Sequence, residues 1–430
     1  MNVCVVALGK IGLPLAVQIA SKGHQVLGAD VNQATVDSIN NGIVPFPGEA
    51  DLDAKLQKAL ESESLSATTD TTDAISRSDA VVIVVPLIVD SAAQPDFRAL
   101  DAATVAIGDG LRPGTLVSYE TTLPVGTTRT RFAPVLEERS GLTIGTDIFV
   151  VFSPERVFSG RIFADLRRYP KLVGGVDDKS TERGIAFYDA VLDFDERPDL
   201  TRPNGVWDMG TAEAAELAKL AETTYRDVNI ALANEFARFA DGIGIDVGAV
   251  IEAANSQPFS HIHRPGIAVG GHCIPVYPRF YLANDPHALL PAAGRAVNDN
   301  MPGYAVARLA SAVPDGLHGK RVAVLGAAYR GGVKETAFSG VFAVVEELDR
   351  VGAVPVVADP LFTDDELAGM GFEPYHVGEQ CDAAIIQADH AEYRSIEPTD
   401  LPGAVALLDG RRCLDDRPWR RAGIPVISIG

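Results

Sequence analysis

An α/β architecture of two open, doubly wound parallel sheets joined by a helical middle is what this sequence predicts, and three observations carry the prediction. Between Val3 and Asp30 the chain runs apolar strand, glycine turn, helix, second strand, acid. From Lys320 onward strands and helices alternate again as far as Ile429. Between these regions, starting at Thr211, lies an Ala/Leu/Glu-rich stretch without proline for over thirty residues, the composition of one long helix. A chain of 430 residues suits roughly two to three domains. Their boundaries are expected at 1–203, 204–302 and 315–430.

The first strand, Val3 to Leu8, leads into Gly9-Lys10-Ile11-Gly12-Leu13-Pro14 and a helix ending near Gly23; the second, Gln25 to Ala29, stops at Asp30. This is the order of a dinucleotide-binding, Rossmann-like unit. In it Gly9 admits the pyrophosphate, Gly12 lets the helix pack closely, and the helix amino terminus supplies positive dipole. Lys10 and Ile11 complete the turn, and Ala7 stands where the GxGxxG pattern has its first glycine. Asp30 is expected to accept hydrogen bonds from the adenosine ribose and to repel a 2′-phosphate, which favours NAD over NADP. Further buried strands, Asp79 to Pro86, Thr115 to Tyr119 and Ile148 to Phe152, deliver loops to the carboxyl edge of the sheet, where such folds bind ligands. Pro86, Glu120 and Thr122 on those loops are expected cofactor contacts, and Glu155 with Arg156 places opposite charges at the same edge. Helix capping by the threonines and a solvated Glu-Arg pair are the plainer alternatives.

In the long helix, Leu217, Leu220, Ala221, Thr224, Val228, Ala231, Leu232 and Phe236 follow the helical period, and Gly242 with Gly244 marks its end. Such a helix would form a spine between domains and an interface in a homodimer. Lys219, Thr223 and Arg226 share one of its faces; a surface lysine near Glu216 and Glu222 is the alternative for Lys219. Next comes GIAVGGHCIPVYPRFYL, Gly266 to Leu282, in which glycines and prolines present Cys273 with His272 beside it. By itself this is either a nucleophile or an ordinary buried thiol. Arg264, Arg279 and Arg295 gather around it, to hold an anionic ligand or to pair with carboxylates.

The last third carries strands at Val322 to Leu325, Pro355 to Ala358, Ala383 to Gln387, Val405 to Asp409 and Pro425 to Ile429. It lacks GxGxxG and is expected to bind a different ligand, whose phosphates use Arg330, beside Tyr329, or Lys334 or Arg411. The formal charge of -21 argues against nonspecific attraction to nucleic acid or to a membrane. Four scattered cysteines without a CxxC pair fit a reducing cytoplasm better than disulfides or a zinc site, so no metal is expected. Met1 runs almost directly into the first strand, with no basic leader and no apolar run of spanning length, so a cytoplasmic protein is expected.

In chain order, GKIGLP, ETTLPVGTT, SPERV, ELAKLAETTYRDVNIALANE, GGHCIPVYP, and LGAAYRGGVKE with DGR resemble the nucleotide-sugar 6-dehydrogenase family, which includes UDP-glucose and UDP-N-acetylmannosamine dehydrogenases. The resemblance implies an NAD-binding domain, a dimerising helical middle and a nucleotide-binding carboxyl-terminal domain. It implies a four-electron oxidation of a sugar 6-hydroxyl to a carboxylate with two NAD. By matching positions, Cys273 would be the nucleophile, Lys219 the neighbouring cation or acid-base group, and Glu155 the group assisting hydrolysis. Arg156, Val157, Arg226 and Gly266 would line the sugar site.

The sequence departs from the family at four places. Thr223 stands for the usual asparagine oxyanion donor, Tyr277 for an aspartate, Ala337 for an arginine that contacts the nucleotide-sugar, and Arg330 for a lysine. GGHCIPV is closer to the N-acetylmannosamine and N-acetylglucosamine branch than to the GGSCFPKD of UDP-glucose enzymes. A UDP-N-acetylhexosamine is therefore the expected substrate. The alternatives are UDP-glucose, a two-electron hydroxyacid dehydrogenase, and a nucleotide-sugar-binding protein without activity.

Overall fold

A computed structural model describes residues 1–90 and 92–430. The chain divides into two compact units, Met1–Glu222 with Arg279–Asn284, and Thr223–Pro278 with Asp285–Gly430. The first is built on strands β1 (Asn2–Val6), β2 (Gln25–Ala29), β3 (Leu65–Thr68), β4 (Ala80–Ile83), β5 (Leu116–Tyr119), β6 (Phe149–Phe152), β7 (Lys171–Gly175) and β8 (Val206–Thr211). They lie in the order β8-β7-β6-β5-β4-β1-β2-β3. Strands β1 to β6 run parallel, and β7 with β8 runs opposite to them. Strands such as β4, AVVI, are apolar at every position because helices cover both faces, so both sides of the pleat are core.

The second unit holds a five-stranded parallel sheet of β9 (Arg321–Leu325), β10 (Val354–Ala358), β11 (Ala383–Ile386), β12 (Leu407–Asp409) and β13 (Val426–Ser428), in the order β10-β9-β11-β12-β13. Each sheet places the strand that opens it beside its successor and reverses direction of winding there, the doubly wound pattern expected.

Helix α1 (Gly12–Ser21) follows β1, helix α2 (Asp178–Val191) follows β7, and the long helix α3 (Ala212–Ile243) is 32 residues. Residues of α3 up to Glu222 belong to the first unit and those from Thr223 to the second. The apolar positions that follow the helical period on α3 divide into buried and exposed ones. Leu220 and Ala231 are buried, whereas Leu217, Leu232 and Phe236 are exposed. Two helices follow the Cys273 segment and its short helix, α4 (Leu289–Asp299) and α5 (Met301–Ala312). Pro302 lies in the first turn of α5; proline has no N–H to continue the earlier helix, and it starts a new one instead. Among the described residues no helix is long and apolar enough to cross a membrane.

Candidate active site

At the end of β1, Ala7 adopts φ +75°, the left-handed backbone for which the motif's first glycine exists. Gly12 has no such freedom to give up. A Cβ there would lie 1.9 Å from the Ala7 carbonyl oxygen, so only glycine lets α1 approach the turn. Around Gly9 the space is open, with nothing within 4 Å of a built Cβ. No side chain caps α1 at Ile11, which leaves the positive end of the helix to a phosphate group. The Asp30 carboxylate accepts from Leu8 N at 2.8 Å and Asn32 N at 2.9 Å, so it braces the turn. These residues fit a dinucleotide. Lys10 and Ile11 are half-buried on the turn, and Pro86 is exposed at the next loop. The loops at Pro86 and Thr122 are tied by Thr121, whose hydroxyl donates to Val85 O at 2.7 Å, while Thr122 is buried.

Glu120, at the end of β5, is buried. Its side chain turns into the sheet, where Lys171 Nζ donates to Oε2 at 2.8 Å and Tyr188 OH donates to Oε1 at 2.6 Å. The same ammonium donates to Glu155 Oε2 at 3.0 Å, and Arg156 N donates to Glu155 Oε1 at 2.6 Å. Burial works to raise Glu155, but the Lys171 charge and the Arg156 N–H outweigh it and hold this carboxyl below its usual range. Burial likewise opposes the charge on Lys171, and the two carboxylates overcome it and raise the ammonium.

Arg156 Nε donates to Glu222 Oε2 at 2.9 Å, and Lys219 Nζ donates to Glu222 Oε1 at 3.1 Å. Glu155, Arg156 and Lys219 are thereby joined along one chain of charges within the first unit. Lys219 is buried rather than a surface lysine. Glu216, the other acid expected beside it, instead receives Thr128 N at 2.9 Å and Thr128 Oγ1 at 2.7 Å. Val157 packs against the core of the first unit. Sequence reasoning missed Lys171, although a lysine opening the wholly buried strand KLVGG was a signal that a buried acid awaited it.

In the second unit the segment before Cys273 is pinned at several points. Gly266 N donates to Asn234 Oδ1 at 2.9 Å, Ile267 N to Gly410 O at 3.0 Å and Gly271 N to Ala337 O at 3.0 Å. Gly271 has φ +91° and lies against the Tyr329 ring. Cys273 is half-buried, and its carbonyl accepts Tyr277 N at 2.9 Å where helix Tyr277–Asn284 begins. His272 is exposed, its Nε2 3.4 Å from Glu335 Oε2. Thr223 is buried, Arg226 half-buried and Arg264 exposed.

Two arginines have several partners within the second unit. Arg411 makes four hydrogen bonds, to Gln387 O at 2.6 Å, Gln387 Oε1 at 3.1 Å, Ala268 O at 3.2 Å and Tyr329 O at 3.3 Å. One of these bonds, to Ala268 O, ties its fork to the Gly266–Gly271 segment. Arg295 is buried between Asp227 at 2.6 Å and Asp299 at 2.5 Å, the carboxylate-pairing alternative. Lys334 pairs with Glu366 at 2.6 Å, and Arg330 Nε donates to Tyr329 OH at 3.0 Å. Asp359, closing β10, accepts the N–H groups of Ala327 and Ala328 at 2.8 and 2.9 Å, as Asp30 braces the first turn.

Residues 1–192 match the sequence model for the NAD binding domain of the UDP-glucose/GDP-mannose dehydrogenase family, 213–299 its central domain and 323–416 its UDP binding domain. The chain belongs to this family. It is a three-part α/β member, with Rossmann-like domains at both ends, a helical centre and NAD as cofactor. A UDP-N-acetyl-D-mannosamine dehydrogenase of Pyrococcus horikoshii is 34% identical over 430 residues, covering 97% of each chain. The solved structure of the UDP-D-ManNAc dehydrogenase from Pyrococcus horikoshii matches with a TM-score of 0.87 at 32% identity, covering 100% of this chain and 99% of that one. The native UDP-N-acetyl-mannosamine dehydrogenase of Staphylococcus aureus matches with a TM-score of 0.84 at 30% identity, covering 100% and 98%.

Proposed function

We propose that this family member oxidises the 6-hydroxyl of a UDP-N-acetylhexosamine, UDP-N-acetylmannosamine foremost, to the uronate. The observation that carries this is the half-buried thiol of Cys273 at the end of a firmly anchored glycine segment, in a chain with NAD- and UDP-binding domains. The names of its relatives support the sugar. When bound, NAD accepts one hydride in each of two oxidations.

Removing the first hydride leaves an aldehyde, which has no second hydride to give. Addition of the Cys273 thiolate makes a tetrahedral thiohemiacetal, which has one, and its oxidation leaves a thioester. Glu155 then draws a proton from the attacking water, and Cys273 departs as the acid forms. Lys219 steadies the oxyanion, and the Thr223 hydroxyl donates in place of an amide. On the cofactor side Gly9, Lys10, Ile11, Gly12, Asp30, Pro86 and Thr122 hold NAD. Arg156, Val157, Arg226, Arg264, Gly266, Tyr329, Arg330 and Arg411 serve the UDP-sugar. The functional domains are taken as 1–203, 204–302 and 315–430.

Incubating the chain with excess NAD and a panel of UDP-sugars is expected to give two NADH and one acid per N-acetylhexosamine consumed. One NADH per sugar would replace this reading with a two-electron dehydrogenase, and binding without turnover would end it.

The working form we propose is a cytoplasmic homodimer through α3. Leu217, Tyr225, Leu232, Phe236, Phe239 and Ile243 are exposed along one face of that helix, more apolar surface than a solitary helix leaves in water. Four cysteines scattered along the sequence without a CxxC pair support a reducing compartment. Phe236→Glu with Phe239→Glu is expected to weaken self-association at least about a hundredfold by sedimentation velocity. A dimer of unchanged stability would count against this interface.

A further inference from the structure

Glu120, Lys171 and Tyr188 form a buried ionisable cluster in contact with Glu155. Two carboxylates flank a single ammonium, Lys171 Nζ standing 2.8 Å from Glu120 Oε2 and 3.0 Å from Glu155 Oε2. Tyr188, from α2, donates to Glu120 Oε1 at 2.6 Å, its own hydroxyl lies 2.7 Å from Ser118 Oγ, and its ring faces the ammonium at 4.8 Å. Glu155 N donates to Glu120 O at 3.3 Å, so the loops after β5 and β6 are bonded through the same two residues. Beyond Glu155 the charged neighbours are Arg156, Glu222 and Lys219.

A buried ion pair of this kind contributes little net stability over an apolar core, so its presence asks for another reason. We propose that Glu120 is a positioning residue for Glu155: by sharing the Lys171 ammonium, its protonation sets how strongly Glu155 draws a proton from the attacking water. The proposal rests on Glu155 being the group that assists hydrolysis. With Glu120 neutral, Lys171 serves Glu155 alone and Glu155 is a weak base. With Glu120 ionised, the ammonium divides between two carboxylates and Glu155 holds a proton more tightly. Burial pushes Glu120 up to about 7, with Lys171 opposing and Glu155 reinforcing. The change therefore falls where a hydrolytic base operates.

The test uses the full chain in single turnover with UDP-N-acetylmannosamine and NAD, following acid release after the second NADH has formed, from about pH 6 to about pH 9. In the parent, acid release is expected to rise through neutrality. Glu120→Gln is expected to flatten that rise, leaving the rate about tenfold below the parent at the alkaline end while the two NADH-forming phases change little. Tyr188→Phe removes a hydrogen bond that favours ionised Glu120, so it moves the rise to higher pH and serves where Glu120→Gln fails to fold.

A Glu120→Gln profile that superimposes on the parent's, or a Tyr188→Phe profile whose rise stays in place, overturns the proposal. Glu155→Gln separates it from the role beneath it. If that variant releases acid at the parent's rate, Glu155 is not the hydrolytic group and the proposal falls with it, while the two-to-one NADH count still tests the overall reaction independently.

Discussion

Cys273→Ser is expected to lower acid formation by about a thousandfold, or about 4 kcal/mol of barrier. At neutral pH a serine hydroxyl is almost wholly protonated, whereas a thiol supplies a usable fraction of thiolate, so addition to the aldehyde slows most. Any ester that does form has a poorer leaving group than a thioester, which slows hydrolysis as well. The variant should still bind both ligands, because the anchors of its loop lie at Gly266, Ile267 and Gly271 and not at the sulfur. The measurement is NADH and uronate formed per enzyme, with thermal unfolding as the control for folding. Turnover to acid at the parent's rate would remove Cys273 from the mechanism.

Lys171→Met is expected to cost about 3–5 kcal/mol of stability at neutral pH, because it strands two buried carboxylates that share one cation. The sign of its pH dependence follows. Without the ammonium both carboxyls have folded-state affinities for protons raised above the unfolded value. The deficit is then absent where both are protonated and grows as pH rises from about 4.3, the ordinary glutamate value, toward and past neutrality. In the parent Glu155 is held low, and that contribution too is lost as pH falls. Both effects narrow the gap between parent and variant in acid. Thermal unfolding at about pH 5 and about pH 8 reads it. A gap of the same size at both would mean that lost packing, not stranded charge, is responsible.

The fold was legible because its strands are continuous apolar runs bounded by glycine turns, and because thirty-odd residues without proline admit little besides one helix. Helix boundaries were legible where a breaker stood, as at Gly244, whereas the helix that Pro302 opens, Met301–Ala312, was not foreseen. The site was legible where local sequence dictates backbone, as at Gly12. It was not legible where a side chain chooses between partners far apart in the chain. The position of Glu120 at a sheet edge followed from the strand pattern. The direction of its carboxylate depended on Lys171 and Tyr188, 51 and 68 residues away. Arg411 is the same case, a basic residue in the expected loop whose acceptors are carbonyls contributed by three separate segments.

Those acceptors have a further consequence. Every oxygen that the Arg411 guanidinium reaches, on Ala268, Tyr329 and Gln387, belongs to a neutral carbonyl. None of them titrates. The Arg411 bond to the glycine segment thus keeps its acceptor across the range in which the carboxylates around Lys171 exchange protons. Reactivity at one place in the chain can follow the pH of the medium while the seat of the thiol stays where it is.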